Sequence, residues 1–118
     1  MRHGNYKYKL SVSPSHRKAL MKNLCSELFD HGKIETTITK AKALKPFAEK
    51  LITIAKNDTL ANRRLIYQKL NNKNAVKNLF ETVAPKFKQR PGGYTRILKM
   101  ADPRLGDAAK KALIALVD

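Results

Sequence analysis

Residues 33–42 constrain the fold of this chain most, because β-branched side chains run here directly into the start of a helix, in the sequence KIETTITKAK. Ile34, Thr36 and Ile38 occupy alternate positions and therefore share one face of a short strand over residues 33–38. Thr39 is suited to cap a helix that follows at once. The chain is therefore predicted to combine helices and strands.

A first helix is predicted before this strand. Ser13 and Pro14 form an N-cap followed by proline at the first helical position, where the missing N–H costs nothing. Gly32 stands where a C-cap glycine is expected. The apolar stripe between them is Leu20, Met21, Leu24, Cys25 and Leu28, opposite Lys22, Asn23, Ser26 and Asp30. Cys25 is predicted to lie in the core.

A second helix is predicted from the Thr39 cap to about Lys56. Pro46 falls inside it on the polar face, so we expect a kink that bends the helix around the core. A helix that begins only at Leu44 is the alternative. Its buried stripe is Leu44, Phe47, Ala48, Leu51, Ile54 and Ala55, and its polar face holds Lys42, Lys45, Glu49 and Lys56.

Two shorter helices should follow. Residues 57–59 form a turn with cap residues, and a helix follows at about residues 60–70. The apolar side chains of this helix do not separate onto one face, which indicates that it is covered on two sides. Asn71 and Asn72 form the next turn and cap, and Pro85 is expected to end the fourth helix. The stripe of that helix is Ala75, Val76, Leu79, Phe80 and Val83.

The last third of the chain predicts two more strands. Residues 89–93 form a loop around two glycines, residues 94–100 a strand and residues 102–107 a second loop. Residues 112–117 are apolar without alternation, as in a strand covered on both faces, although a helix from Asp107 would compete for them. The fold class is therefore α+β, with about four helices packed on a small three-stranded mixed sheet. Residues 14–118 form this single domain, behind a basic N-terminal extension at residues 1–13.

The charge of the chain restricts its partners. Its 118 residues include 25 Lys and Arg against 9 Asp and Glu, a formal net charge of +16. Self-repulsion of this size favours a polyanionic partner, nucleic acid first and an anionic membrane second. No acidic residue precedes Glu27, so residues 1–13 are interpreted as an extended arm that orders on its partner.

Membrane insertion and secretion are not expected. No apolar run approaches the roughly 18 residues that a membrane span needs, and the beginning of the sequence has no apolar segment of the signal-peptide type. Cys25 is the single cysteine and cannot form an internal disulfide, which fits a reducing cytoplasm.

The sequence lacks recognisable catalytic and metal motifs. His3, His16 and His31 are not separated by ligand intervals, and one cysteine does not build a zinc site. The glycine pair at residues 92–93 lacks the Gly-Lys-Ser/Thr ending of a phosphate-binding loop. We therefore predict no enzyme activity, no catalytic residue, no metal and no cofactor.

The remaining candidates suit a nucleic-acid surface. Lysine and arginine neutralise phosphates, arginine adds forked hydrogen bonds and stacking, and a helix start attracts phosphate. Tyrosines between lysines, as at Tyr6 and Tyr8, either stack on bases or cover the domain. The candidate binding residues are Arg2, His3, Lys7, Lys9, His16, Arg17, Lys18, Lys22, Lys40, Lys42, Arg63, Arg64, Arg90, Gly92, Gly93, Tyr94, Arg96 and Lys99. A solvated lysine face is the interpretation for Lys45, Lys50, Lys56 and Lys77.

Several short motifs resemble one known family. Residues 1–3 (MRH), 15–17 (SHR), 33–42, 92–99 (GGYTRILK) and the closing 116–118 (LVD) together resemble the bacterial large-subunit ribosomal protein L-seventeen family over the whole chain. Two segments depart from it: residues 4–9 (GNYKYK), where the family has more arginine, and Lys110-Lys111, where it has more apolar or neutral residues.

The resemblance implies a function that charge alone does not select. A protein of this family is expected in the cytoplasm, as a structural part of the large ribosomal subunit. It is expected to bind and stabilise 23S ribosomal RNA on the solvent side near the exit-tunnel region, and to touch neighbouring large-subunit proteins. No small-molecule substrate, membrane or obligate homo-oligomer is implied.

Two other functions remain as alternatives. The helices joined at residues 57–59 could form a helix-turn-helix of a repressor or architectural DNA-binding protein. Against this, the basic residues surround the domain instead of concentrating on a second helix, and nothing marks a dimer interface. A small RNA-processing enzyme is the third interpretation, but it lacks a carboxylate cluster or histidine pair.

Overall fold

A computed structural model describes residues 13–100, 106 and 110–117 of this chain. The helices are α1 (Pro14–His31), α2 (Ile38–Ala55), α3 (Leu60–Leu70), α4 (Lys73–Asn78) and α5 (Ala84–Lys86), and the strands are β1 (Lys33–Thr37), β2 (Thr95–Lys99) and β3 (Lys111–Leu116). A π-helical turn, Leu79–Val83, joins α4 to α5 without a break. The predicted basic arm lies outside the described residues except for Ser13, as does most of the loop between β2 and β3.

The α+β class and the three-stranded sheet are confirmed, but the sheet is antiparallel, so the predicted mixed sheet is wrong. The strand order is β1-β3-β2, and β3 pairs antiparallel with both neighbours. A mixed sheet would need a long crossover between two parallel strands, whereas β3 turns back along β2 and lies between β2 and β1. Residues 111–116 are a strand, which excludes the competing terminal helix.

The helices cover one face of the sheet only. Ile34, Ile114 and Ile97 pair across the three strands, and Ile34 and Ile114 are buried. On the other face Leu113 is only half-buried, and its partner Leu98 is 48% exposed. The expectation that the last strand is covered on both faces is therefore wrong. We call the uncovered side the open sheet face; it carries Leu98, Met100, Leu113 and Ala115, with Lys33, Glu35, Arg96 and Lys111 around them.

The ends of α1 follow the predicted capping chemistry. The Ser13 side chain accepts a hydrogen bond from the His16 N–H at 3.2 Å, and Gly32 adopts the left-handed conformation with φ of 82°. Cys25 is fully buried as predicted. The buried face lies further round the helix than expected, since Phe29 joins the core and Ser26, assigned to the polar face, is buried as well.

Helix α2 begins two residues before the predicted position of its start. Thr37, not Thr39, is the N-cap, and its hydroxyl accepts the Lys40 N–H at 3.4 Å. The strand is correspondingly short and ends at Thr37, which is the last paired residue of β1, opposite Lys111, and also caps the helix. The helix passes Pro46 as one element, with the proline on its exposed side, so a start at Leu44 is excluded.

Helix α3 spans residues 60–70 as predicted, with Thr59 as its N-cap. It buries only Ile66 and Leu70, and Leu60 is 65% exposed, so cover on two sides is wrong. The mixed pattern reflects a narrow buried edge and an otherwise solvent-facing helix.

The helical segment after Asn72 has the predicted cap and stripe but continues past Pro85 to Lys86. The π-helical turn explains this, because the Ala84 N–H bonds to the Leu79 carbonyl one residue further back than in an α-helix, just before a residue with no N–H to donate.

The core lies between α1, α2, the α4–α5 segment and the covered side of the sheet. The two largest of its fully buried side chains are Tyr94 and Phe87, whose ring centroids are 5.2 Å apart. Burial raises the pKa of the Cys25 thiol. Within the described ranges, no buried side-chain polar atom lacks a hydrogen-bond partner, and no helix is both long and apolar enough to cross a bilayer.

Candidate nucleic-acid interface

The first group of predicted residues lies on the first half of α1. His16 and Lys18 are exposed, and Arg17 and Lys22 are half-buried. The His16 backbone N–H donates to the Ser13 cap, and the residue is exposed in the first turn of the helix. Of the predicted residues in the N-terminal arm, Arg2, His3, Lys7 and Lys9 lie outside the described residues.

The start of α2 carries two predicted residues with different surroundings. Lys40 is half-buried and its N–H is held by Thr37, whereas Lys42 is exposed. Of the two side chains, Lys42 is therefore the better placed to meet a phosphate.

Residues 90–95 form a loop that is fixed to the domain by hydrogen bonds; we call it the anchored loop. The Arg90 Nε donates to the Gly92 carbonyl at 3.2 Å and to the Gly93 carbonyl at 3.1 Å. Gly93 has φ of 64°, a conformation that glycine adopts without strain. The Lys56 Nζ donates to the Arg90 carbonyl from the neighbouring helix.

Tyr94, predicted to contact RNA, is part of the core and is 1% exposed. Its ring packs against Phe87, and the Lys56 Nζ lies 4.7 Å from the ring centroid. Its hydroxyl is 3.1 Å from the Thr53 Oγ1. A ring held in this way cannot stack on a base without leaving the core, so its structural role is to hold the loop.

Sequence interpretation missed the residues of α2 that receive the anchored loop. The Glu49 carboxylate accepts the Thr95 N–H at 3.1 Å and the Thr95 hydroxyl at 2.9 Å. Glu49, Thr53 and Lys56 are spaced i, i+4, i+7 and therefore form one row along the helix. The interpretation of Lys56 as part of a solvated lysine face is wrong, because it is half-buried and bonded to the loop. The helical spacing of these three residues was visible in the sequence, but the loop that they bind, 34 to 46 positions later, was not.

The two predicted residues after the loop lie on β2 and are exposed. Successive strand residues point to opposite faces, so Arg96 and Leu98 belong to the open sheet face and Lys99 to the other side, at the sheet edge. Arg96 thus stands directly beside the anchored loop but is not used by it.

A cleft of about 320 Å³ that is wide open to solvent lies between helices α3 and α4, and we call it the α3–α4 cleft. It is lined by Arg63, Arg64, Tyr67, Lys73, Val76 and Lys77. The structure therefore brings the predicted Arg63 and Arg64 together with three polar residues that were not predicted as binding residues. Lys77 had been assigned to a solvated face.

Arg63 differs from the other cations of the cleft because it is already paired. Its Nε and Nη2 donate to the Asp58 carboxylate at 2.6 and 2.9 Å, and its guanidinium lies 4.8 Å from the Phe80 ring centroid. The hydrogen bond from Arg63 lowers the pKa of Asp58. Arg63 is thus fixed in place, with its charge partly balanced.

Three acidic side chains of the described residues are engaged away from the α3–α4 cleft. Glu49 holds the anchored loop, Asp30 accepts from the Asn78 amide at 2.7 Å, and Glu35 pairs with Lys111 at 3.3 Å. Among the described residues, no group of three or more histidine, cysteine or acidic side chains could hold a metal ion. Lys and Arg outnumber Asp and Glu among the described residues, so their surface is predominantly positive.

Comparison with known proteins places the chain in a family. A family profile described as "Ribosomal protein L17" matches residues 20–117, which is most of the chain. The chain belongs to the ribosomal protein L17 family. The resemblance drawn from the sequence motifs is confirmed, and the matched residues of this L17 member include the anchored loop, the α3–α4 cleft and the open sheet face.

Individual L17 relatives match over nearly the full chain. "Large ribosomal subunit protein bL17" of Halothermothrix orenii is 52% identical over 110 residues, or 93% of this chain and 96% of that protein. The protein of the same name from Methylacidiphilum infernorum is 53% identical over 114 residues, 97% of this chain and 86% of that protein. That of Flavobacterium johnsoniae is 52% identical over all 118 residues and 72% of its own length.

Proposed function

We propose that this protein is a structural constituent of the bacterial large ribosomal subunit, in the cytoplasm, and that it binds and stabilises 23S ribosomal RNA. The observation that carries the proposal is the 52–53% identity, over 93% or more of the chain, to proteins named large ribosomal subunit protein bL17. The net charge of +16 supports it, because a polyanion relieves the self-repulsion of the folded domain.

The binding mechanism is electrostatic and requires no reaction. Exposed cations on α1, on the start of α2, on β2 and in the α3–α4 cleft would neutralise phosphates and release counterions. These cations stand on helices and strands of one packed core, so their spacing is set before RNA arrives. The protein would thus hold segments of folded RNA at fixed distances from one another.

The open sheet face suits a neighbouring large-subunit protein better than RNA. Leu98 is 48% and Met100 39% exposed, and with the half-buried Leu113 they form an aliphatic centre. None of the described residues on this face is aromatic, so it offers no ring for a base to stack on. We propose that an apolar segment of an adjacent ribosomal protein covers it, and that RNA meets Arg96 at its margin.

Fractionation of cell lysate tests the main proposal. The protein should sediment with large subunits in a sucrose gradient and remain there through a moderate-salt wash. Isolated protein should bind 23S ribosomal RNA with an affinity that falls steeply with salt, since counterion release is the leading contribution. Sedimentation away from the subunit, or an affinity that hardly responds to salt, would contradict the proposal.

We also propose that the protein lies on the solvent side of the subunit near the exit tunnel. Directed cleavage of the RNA tests this position. Cys25 is buried and its thiol pKa is raised, so a cysteine placed at exposed Gln68 can be labelled selectively with an iron chelate. Hydroxyl radicals from Gln68→Cys in assembled subunits should cut 23S ribosomal RNA around the tunnel exit. Cuts confined to another region would refute this placement.

The protein neighbour is tested with a photo-crosslinker at Leu98, with the same group at Gln68 as the control. Crosslinks from position 98 should reach another ribosomal protein. Crosslinks from position 98 to RNA alone would show that the open sheet face is an RNA surface.

A further inference from the structure

We propose that the α3–α4 cleft binds one unpaired nucleotide of the RNA, with its base on the Tyr67 ring and its flanking phosphates on Arg64, Lys73 and Lys77. This inference rests on the proposed RNA-binding function and adds a specific site and a specific conformation of the ligand.

The size of the cleft fits a small ligand. Its volume of about 320 Å³ stands at the lower end of the roughly 300–1,000 Å³ that is usual for small-molecule sites. A double helix is too broad to enter a space of this size and would contact only its rim. One nucleotide turned out of a loop or bulge could enter it.

The charge of the cleft fits phosphate. Arg63, Arg64, Lys73 and Lys77 all line it, and none of the described residues that line it is acidic. Arg63 already has Asp58 as its partner, which leaves Arg64, Lys73 and Lys77 exposed, with no ion pair in the described part of the chain. Three cations around one small cleft would repel one another less once a nucleotide's phosphates lay between them.

The aromatic ring distinguishes the cleft from an ordinary basic surface. Tyr67 is 39% exposed and stands one helical turn from Arg63, beside the apolar side chain of Val76. Base stacking on an aromatic side chain needs a base whose face is free, as in unpaired RNA, whereas a duplex presents its phosphates and groove edges. An exposed ring among cations therefore favours an unpaired nucleotide over a helix.

The cleft is formed before any ligand binds. Asn71 ends α3 in the left-handed conformation with φ of 52°, and the Asn72 side chain accepts the Ala75 N–H at 3.0 Å, so both helix ends at the turn are capped. Ile66 and Leu70 hold α3 to the core, and Ala75 and Val76 hold α4. The bidentate pair with Asp58 and the Phe80 ring fix Arg63 as one wall. A preformed site loses little conformational entropy on binding.

The test compares single-stranded and duplex RNA on five full-length proteins: wild type, Tyr67→Leu, Tyr67→Phe and the charge control pair Lys77→Gln and Lys50→Gln. The probes are a fluorescent uridine oligonucleotide and a fluorescent blunt RNA duplex with the same number of phosphates, measured by anisotropy at one salt concentration. Tyr67→Leu keeps apolar bulk but removes the ring, and Tyr67→Phe keeps the ring. Lys50 is exposed on α2, away from the lining of the cleft.

We expect Tyr67→Leu to weaken binding of the single strand by about 5- to 150-fold, the range of one stacked base, and to leave duplex affinity unchanged. Tyr67→Phe should restore wild-type affinity. Lys77→Gln should weaken the single strand more than Lys50→Gln does, while the two variants should affect the duplex equally. Thermal melting should show all variants folded, since each changed side chain is exposed.

Three outcomes overturn the inference. Wild-type affinity of Tyr67→Leu for the single strand, together with normal binding of 23S ribosomal RNA, would refute the nucleotide site and leave the proposed function standing. Equal losses on both probes would mean a plain electrostatic surface. Displacement of the labelled oligonucleotide from wild type by polyglutamate, at a lower concentration of charge than unlabelled oligonucleotide requires, would show a cleft for acidic polypeptide. Failure of wild-type protein to bind any RNA would instead refute both proposals.

Discussion

The anchored loop and the α3–α4 cleft contain similar residues, but the loop uses them in contacts within the protein and the cleft exposes them to solvent. In the loop, Arg90 binds the Gly92 and Gly93 carbonyls, and Tyr94 is buried with its hydroxyl bonded to Thr53. In the cleft, Arg64 and Tyr67 are exposed at the solvent side of α3. A tyrosine beside basic residues is therefore a core residue in the loop, whereas in the cleft it is exposed at the site where we propose an RNA contact.

The difference follows from what lies opposite each segment. The loop faces a row of side chains on α2, and each of them bonds to a loop residue. The row supplies the Glu49 carboxylate, the Thr53 hydroxyl and the Lys56 ammonium group. The cleft faces lysines of α4, which offer α3 no acceptor. Where the fold supplies complementary groups, polar side chains are used internally, and where it supplies like charges they remain available to a partner.

The largest expected effect is the loss of stability when the buried Tyr94 is truncated, compared with the same truncation of the exposed Tyr67. Tyr94→Ala should lower the free energy of unfolding by about 3–5 kcal/mol, as for other large buried aromatic side chains. Tyr67→Ala should change it by less than about 0.5 kcal/mol, because the ring is at the surface. Urea denaturation followed by circular dichroism measures both. Equal losses for the two variants would erase the distinction between loop and cleft.

The second effect concerns the carboxylate that holds the loop. Glu49→Ala leaves the Thr95 N–H and hydroxyl without their acceptor and should cost about 1–3 kcal/mol of stability. Glu27→Ala is the matched control, since it removes the same charge from an exposed position of α1. RNA affinity should rise equally and slightly in both variants. A loss of RNA affinity in Glu49→Ala alone, with the protein folded, would show that the loop geometry itself contributes to binding.

A smaller effect is expected where the anchored loop passes into β2. Arg96→Ala should change stability by less than about 0.5 kcal/mol, because the side chain is exposed. It should weaken RNA binding and reduce the slope of log affinity against log salt by about 1, as for the loss of one phosphate contact. If Arg96→Ala unfolds the protein while its folded fraction binds RNA normally, the whole segment is structural and Arg96 is not an RNA contact.

Local chemistry made much of the fold predictable. Ser13, Thr59 and Asn72 cap their helices as their side chains indicate, and Gly32 ends α1 because its left-handed conformation favours glycine. The direction of strand pairing was not predictable in this way. It depends on where β3 inserts, which no short-range pattern encodes.

The candidate surface was less predictable than the fold, and the reason is distance along the chain. The bond between Glu49 and Thr95 joins residues 46 positions apart, so neither residue alone reveals it. Lys77 and Lys56 look alike in sequence, yet Lys56 holds the anchored loop and Lys77 lines a cleft. Spacing on α3 did hold a signal, because Arg63 and Tyr67 are four residues apart and therefore share a face.

The smallest expected effect concerns Arg63. This residue lines the cleft, but like the residues of the anchored loop it is hydrogen-bonded within the protein. The hydrogen bond from Arg63 lowers the pKa of Asp58 below its ordinary value of 3.8, so the pair stabilises the fold above that value and its contribution is lost as pH falls through the lowered pKa. Asp58→Asn should remove this loss of stability at low pH, and the loss is small because both groups are at the surface. Comparing acid melts of the variant and wild type measures it.

Asp58→Asn should also raise affinity for single-stranded RNA by less than about fivefold, since one negative charge beside the cleft is lost while the Phe80 ring still supports Arg63. Glu27→Ala again provides the control for net charge, because it lies on α1 and does not line the cleft. If affinity falls in Asp58→Asn but not in Glu27→Ala, then the Phe80 ring alone does not hold Arg63 in place and the cleft needs the bidentate bond. Arg63 would then act as Lys56 does in the anchored loop, by holding a surface in place.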